Sequence, residues 1–209
     1  MKLPAVVLED VGGQPLYASC PRVTEKIDGT NIRIGLNADG TVNIGGRTDA
    51  AQIPSPLLSY LLATFTPDKL RAAFPDGADF TLFGEGYGPK IQNGGGYCAT
   101  PRFRLFDVRV GEWWLEWENV VDVAAKLGIQ PVCNTRYGYG LPTSAEELRE
   151  WVGGDASITA TDDGGTGCRS EGIVAKSEPL LFTRRGERVM WKLKFRDFPM
   201  SVPHHEDHT

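Results

Sequence analysis

Glu25-Lys26-Ile27-Asp28-Gly29-Thr30-Asn31 places a lysine two residues before an Asp-Gly step, and Ile32, Ile34 and Leu36 alternate directly after it. Alternation at period two is the mark of a half-buried strand, and Asp-Gly is turn chemistry. Lys26 therefore reads as a nucleophile at a turn that leads into a strand. A lysine attacks phosphorus only as the free amine, so its charged form must be disfavoured by desolvation or by neighbouring cations. A surface turn with an ordinary lysine would carry the same seven residues, and the rest of the chain has to separate the two readings.

Downstream, Asn37-Ala38-Asp39-Gly40 is a hairpin signal, returned by Thr41-Val42-Asn43-Ile44. Leu57, Leu58, Leu61 and Leu62 follow at helical spacing, and a second helix starts at Thr66 with Pro67 in its first position. Phe80 to Phe83 reads as a strand that ends in Gly84-Glu85-Gly86, where the glycines would let a ligand approach the backbone. Phe103 to Val108 is another strand. Glu118 to Leu127 is a helix closed by Gly128, and Ser144 with Glu147 caps a helix to about Val152. Asp162-Asp163-Gly164-Gly165 reads as a flexible turn, and residues before Arg22 suggest a short strand at Val6-Val7-Leu8 and a turn. Gly172 to Ala175 and Met190 to Phe195 are the last strands. Strands with interspersed helices, without regular alternation, indicate α+β with mainly antiparallel sheets.

The 209 residues suit one domain, and 25 glycines with 14 prolines favour short strands and turns over a helical bundle. No apolar run is long enough to span a membrane and Met1-Lys2-Leu3-Pro4 does not start a signal peptide, so the expected location is cytoplasmic. Four scattered cysteines, none beside a histidine, argue for reduced thiols over a zinc site; all three histidines fall in the polar tail. A formal charge of -5 gives no global pull on nucleic acid and leaves only a local basic groove open.

Several residues carry chemistry. Period two puts Lys192 and Lys194 on one face of their strand, where two ammoniums make sense over a phosphate. A solvated sheet face would look the same. Glu171 starts an apolar strand and Lys176 ends it; Glu85 ends another. A carboxylate so placed can hold magnesium or accept a ribose hydroxyl. Phe106 could face a base, although Arg104, Phe106 and Val108 share a strand face and an aromatic in a strand is more often core.

Taken in order, these motifs resemble the covalent nucleotidyltransferases, the superfamily of polynucleotide ligases and capping guanylyltransferases, from about Arg22 to Phe195. The matching pieces are Lys26-Ile27-Asp28-Gly29, Phe83-Gly84-Glu85-Gly86-Tyr87-Gly88, Phe106-Asp107, Glu171-Gly172-Ile173-Val174-Ala175-Lys176 and Trp191-Lys192-Leu193-Lys194. Thr30-Asn31 after the Asp-Gly step, Arg47-Thr48, and Tyr87 to Gln92 before the glycines are similar to the RNA ligase 2-like branch.

The resemblance implies an ATP-grasp-like ligase nucleotidyltransferase domain over residues 1–198 and a polar tail over 199–209. It implies ATP with Mg²⁺, Mn²⁺ able to substitute, and Lys26 forming lysyl-AMP. Lys192 and Lys194 would neutralise the α-phosphate, Glu171 would hold the metal, Glu85 would contact the ribose and Phe106 would stack on adenine. Glu25, Asp28, Asn31, Arg47 and Lys176 would complete the nucleotide site. The expected partner is RNA with 5′-phosphate and 3′-hydroxyl ends, a nicked duplex among the candidates. The stretch after Phe195 has no room for a C-terminal accessory domain, which leaves a separate protein as one source of end recognition. A DNA nick ligase, a capping guanylyltransferase and a non-catalytic nucleotide or RNA-end binding module stay open as alternatives; preference for an all-DNA nick, or labelling by GTP, would mark the first two. A module that only binds does not need the lysine nucleophile.

Overall fold

The computed structural model describes residues 22–75, 77–135, 144–152, 154 and 156–198. The expected strand at Val6-Leu8 and the histidine-bearing tail lie outside them. Strand β1 (Arg22–Lys26) ends on the lysine, three residues turn the chain, and β2 (Thr30–Leu36) buries Ile32 and Ile34 completely. Residues Asn37 to Thr41 return it to β3 (Val42–Gly45), with Gly40 at φ +82°, a left-handed conformation that suits glycine. Helices α1 (Ser55–Thr64) and α2 (Pro67–Ala73) follow. The Thr66 side chain accepts from the Lys69 N–H and Pro67 fills the first turn, as the sequence indicates.

Strand β4 (Phe80–Tyr87) pairs with β5 (Arg102–Val110), and Gly111-Glu112 turns the chain into β6 (Trp113–Trp114). Helix α3 (Trp117–Leu127) stops at Gly128, φ +67°, and the Ile129 N–H reaches back to the Ala124 carbonyl at 3.0 Å. The short strand β7 (Gln130–Pro131) runs parallel to β5. Helices α4 (Ala145–Trp151) and α5 (Ile158–Asp162) precede β8 (Gly172–Lys176) and β9 (Met190–Lys194). The Ser144 hydroxyl caps α4 by accepting from the Glu147 N–H.

Two sheets result. The larger has the order β3-β2-β4-β5-β6 with β7 against β5, and the smaller has the order β1-β8-β9; all pairings except β5–β7 are antiparallel. Leu57 and Leu61 of α1, one turn apart, pack with Ile32, Ile34, Leu82 and Leu105 of the large sheet, and α3 adds Val120 and Leu127. Each such side chain contributes roughly 2 kcal/mol by leaving water. Helix α4 sets Leu148 against Val23, Ile173 and Leu193 of the small sheet. A third cluster, containing Ile27, Tyr87, Tyr97 and Ala160, packs the link between β1 and β2 against β4 and α5. Among the described residues no helix is long and apolar enough to cross a membrane.

Three expectations change. Strand β4 runs on through Tyr87, so Glu85 stands inside a strand instead of after its end. The close approach that Gly84 permits is the protein's own: a Cβ there would meet the Phe103 ring at 2.1 Å and the Arg104 carbonyl oxygen at 2.5 Å. The stretch read as a flexible turn holds Asp162 at the end of α5 and a buried Asp163, whose carboxylate pairs with Arg104 at 3.0 Å and accepts from the Tyr87 hydroxyl.

Candidate active site

Lys26 is the last residue of β1 and lies opposite Gly172, the first residue of β8. The Glu171 N–H donates to the Lys26 carbonyl at 2.9 Å, fixing Glu171 beside the lysine. The carboxylate of Glu171 then ion-pairs with Lys26 through one oxygen and with Lys194 through the other. Burial alone would raise the Glu171 carboxyl, but hydrogen bonds from Lys194 and Lys26 outweigh it and leave it below its ordinary value. Glycine follows Glu171 for a steric reason: at φ +153° a Cβ on Gly172 would lie 2.0 Å from the Leu193 carbonyl oxygen and part β8 from β9.

Asn31 and Glu85 face each other across β2 and β4, and the Asn31 amide donates to the Glu85 carboxylate at 2.7 Å. Burial pushes the Glu85 carboxyl up to about 7, against the opposing pull of Lys26 and of the Asn31 hydrogen bond. Lys192 shares a strand face with Lys194, as the period requires; partial burial, then Lys26 and Arg47, hold its ammonium below the ordinary lysine value. Arg47 itself is exposed in the loop after β3.

Beside these groups lies a cavity of about 280 Å³ lined by residues from both sheets, among them Lys26, Asn31, Glu85, Phe106, Lys176 and Lys192. Its aromatic end depends on an irregularity in β5. Phe83 pairs with Asp107 but Gly84 pairs with Leu105, so Phe106 is the extra residue of a bulge. The simple period, which gave Arg104, Phe106 and Val108 one face, fails there. Arg104 and Val108 are buried, whereas Phe106 reaches the cavity. The Lys176 ammonium donates to the Phe106 carbonyl and to Asp107, both at 2.8 Å, and lies 5.5 Å from the centre of the Phe106 ring. Burial draws the Lys176 ammonium down despite Asp107. Arg188 completes this end, 2.7 Å from Asp107 and 3.6 Å above the Trp114 ring.

Two expected nucleotide contacts are otherwise engaged. The Glu25 carboxylate accepts from the Ser157 hydroxyl, the Thr159 N–H and the Thr159 hydroxyl at the start of α5. Asp28 accepts from the Asn93 amide at 2.8 Å, its N–H donates to the Tyr97 hydroxyl, and it does not line the cavity. Sequence reasoning missed Arg188 and Trp114. Arg188 was within reach, because Arg188, Met190, Lys192 and Lys194 continue one period-two stripe; Trp114 comes to the site only through the hairpin at Gly111.

Two mainly antiparallel sheets flanking a cavity, lined by a strand-end lysine and by aromatics, form a ligase-type nucleotidyltransferase fold. The RNA ligase family model matches residues 22–194, and the chain belongs to that family. The fold is similar to that of a Naegleria gruberi RNA ligase solved with PPi, with a TM-score of 0.59 and 18% identity over 83% of this chain and 49% of that one. A lysine-to-methionine variant of that ligase with AMP and Mn gives 0.59 and 16% over 83% and 49%. A lysine-to-alanine variant with ATP and Mn gives 0.58 and 17% over 83% and 48%. The chain thus spans about half the length of these solved ligases. No curated protein matches its sequence.

Proposed function

We propose that this chain is an ATP-dependent RNA ligase that works through a lysyl-AMP intermediate. The observation that carries the reading is a cavity lined by Lys26, Lys192, Phe106 and Trp114, with Glu171 and Lys194 ion-paired beside Lys26. The ammonium groups suit the phosphates, the carboxylate suits a metal ion that accompanies them, and the aromatic rings suit a base. The Naegleria ligase structures with ATP, AMP and Mn support the same choice of ligands.

The Lys26 amine attacks the α-phosphorus, the bond to the β-phosphate breaks, pyrophosphate leaves and one proton is lost from the amine. Lys192 and Lys194 offset the charge that develops on the α-phosphate. Asn31 and Glu85 meet the ribose, Phe106 stacks on adenine, and Arg47 at the rim meets the phosphates or the RNA end. Lys176 serves from behind Phe106, holding the bulge. Mg²⁺ commonly takes one or two carboxylates together with substrate phosphates, and Glu171 beside Lys26 is the carboxylate that would hold it. When bound, the metal supplies Lewis acidity to the phosphoryl step. AMP then passes to an RNA 5′-phosphate, and a 3′-hydroxyl displaces it to seal the strand.

The test is incubation with α-labelled ATP or GTP and Mg²⁺, wild type beside Lys26→Ala, read on a denaturing gel. Label from ATP that survives denaturation and is absent in the variant is the expected result. Label from GTP alone would move the chain to the capping class, and no label from either, in folded protein shown not to be already adenylylated, would leave a binding module.

A further inference from the structure

We infer that Glu25 is a positioning residue for Lys26, acting through the N-terminus of α5 and not by contact with nucleotide. The inference rests on the reading of Lys26 as nucleophile.

Successive residues of a strand point to opposite faces, so Glu25 projects away from Lys26 on the far side of β1. It is 2% exposed, and its carboxylate makes three hydrogen bonds to a segment more than a hundred residues away in sequence. The donors are well chosen. Thr159 supplies a first-turn N–H that has no partner inside its own helix, so a carboxylate both satisfies it and suits the positive end of the turn. Ser157 is the N-cap of α5; its hydroxyl donates to Glu25 while accepting from the Ala160 N–H. Burial raises the Glu25 carboxyl and these hydrogen bonds oppose the rise. Glu25 touches the cavity wall, but its carboxylate is turned to α5; Ser157 and Thr159 do not line the cavity at all.

The other end of α5 is fastened as well. Asp163 holds Arg104 of β5 and Tyr87 of β4, the strands that carry Phe106 and Glu85. A continuous path therefore runs from Lys26 through Glu25, α5 and Asp163 to the half of the site borne by the large sheet. Backbone pairing fixes the register of β1: the Glu25 N–H donates to the Cys133 carbonyl and the Lys26 carbonyl accepts from Glu171. The carboxylate adds a side-chain tie on the face opposite the nucleophile, resisting rotation of the strand end about its own axis. Such a rotation would swing the Lys26 amine off line.

Single-turnover adenylylation with α-labelled ATP tests this in Glu25→Ala, Glu25→Gln and Thr159→Val. A displacement of the nucleophile by about an ångström lowers the maximal rate by about 10- to 100-fold, and this loss is expected in both Glu25→Ala and Thr159→Val. The ATP concentration for half-maximal rate should stay within about twofold of wild type, because the lost groups do not touch nucleotide. Glu25→Gln, which retains one acceptor oxygen, should recover much of the rate. A wild-type rate in Thr159→Val, or a raised ATP requirement at unchanged maximal rate in Glu25→Ala, would overturn the inference. Should the wild type take no label, the ligase reading fails on its own, and hydrogen exchange then decides the positioning question. Both variants should speed exchange at the Glu25 and Glu171 N–H groups by about tenfold or more, and unchanged exchange would sink the idea.

Discussion

Glu85 is a carboxyl group whose burial works against its charge. Its value of about 7 lies above the ordinary 4.5, so between those two pH values the folded chain keeps a proton that the unfolded chain releases. Stability from this group is therefore fully present below about pH 4.5, falls as pH rises through the window, and stays reduced above 7. A neutral isostere escapes the penalty. Glu85→Gln should unfold together with wild type near pH 4.5 and outlast it at pH 8 by up to ~3 kcal/mol, read as the difference in thermal midpoints across a pH series. A difference that does not change with pH would show that Glu85 is solvated in the folded chain. On the proposed contact of Glu85 with the ribose, the same variant should also bind ATP more weakly, read as a raised ATP concentration for half-maximal labelling. Retaining a costly buried carboxylate makes sense only where the site uses its charge.

Helix α5 is five residues long, yet it ties together strands of both sheets. Arg104 is nearly fully buried, and Asp163, itself buried, is a charged partner at 3.0 Å. Asp163→Ala would leave that guanidinium uncompensated apart from the more exposed Asp162 at 3.5 Å, and removing one member of a buried pair costs about 3–5 kcal/mol. A urea titration should show the loss as a lower midpoint; a change under ~1 kcal/mol would mean that Asp162 takes over the role. This element escaped the sequence because its reasons are not local. Ser157-Ile158-Thr159-Ala160-Thr161-Asp162 is short and rich in β-branched residues, and the carboxylate that caps it comes from Glu25, more than a hundred positions earlier. Strand β1 was hidden in a similar way: Thr24 and Glu25 are buried by hydrogen bonding, which hydrophobic periodicity cannot register. The β5 bulge broke the period at the very residue, Phe106, whose side was in question. By contrast, the hairpin at Asn37-Gly40, the Thr66-Pro67 start of α2 and the Gly128 stop of α3 were legible because a few adjacent residues settle each. The site motifs converge in space: Lys26, Asn31, Glu85, Phe106, Lys176 and Lys192 line one cavity, and Glu171 with Lys194 is ion-paired beside Lys26. What was not legible was where each carboxylate is directed: that of Glu25 is hydrogen-bonded to the start of α5 and that of Asp28 to Asn93.

The chain as a whole is acidic, with a formal charge of -5, while the cations of the site are concentrated along one strand face and the adjacent rim. An RNA strand approaching the cavity therefore meets a small positive area on a negative body. Lys26 and Lys194 pair with Glu171, and Lys176 and Arg188 with Asp107, which leaves Lys192, lining the cavity, and the exposed Arg47 as the cations to offer an incoming phosphate. Neutralising two phosphates of a single strand gives a shallow salt dependence, about a sevenfold loss of RNA affinity between about 50 and about 200 mM salt. Transfer of AMP from pre-adenylylated protein to a 5′-phosphate RNA, at RNA below saturation, should fall by that factor over the same range. Arg47→Ala should weaken the transfer at low salt and flatten its salt dependence to about a two- to threefold loss, since one of the two contacts is gone. A much steeper loss for wild type would show that RNA reaches more basic groups than the cavity rim offers, and an unchanged slope in Arg47→Ala would place the strand on another face. Either result bears on why the Naegleria ligase matches this chain over just 49% of its own length. A shallow slope that Arg47 controls would mean that the nucleotidyltransferase unit grips just the terminal phosphates, and that affinity for the body of the RNA has to come from other contacts.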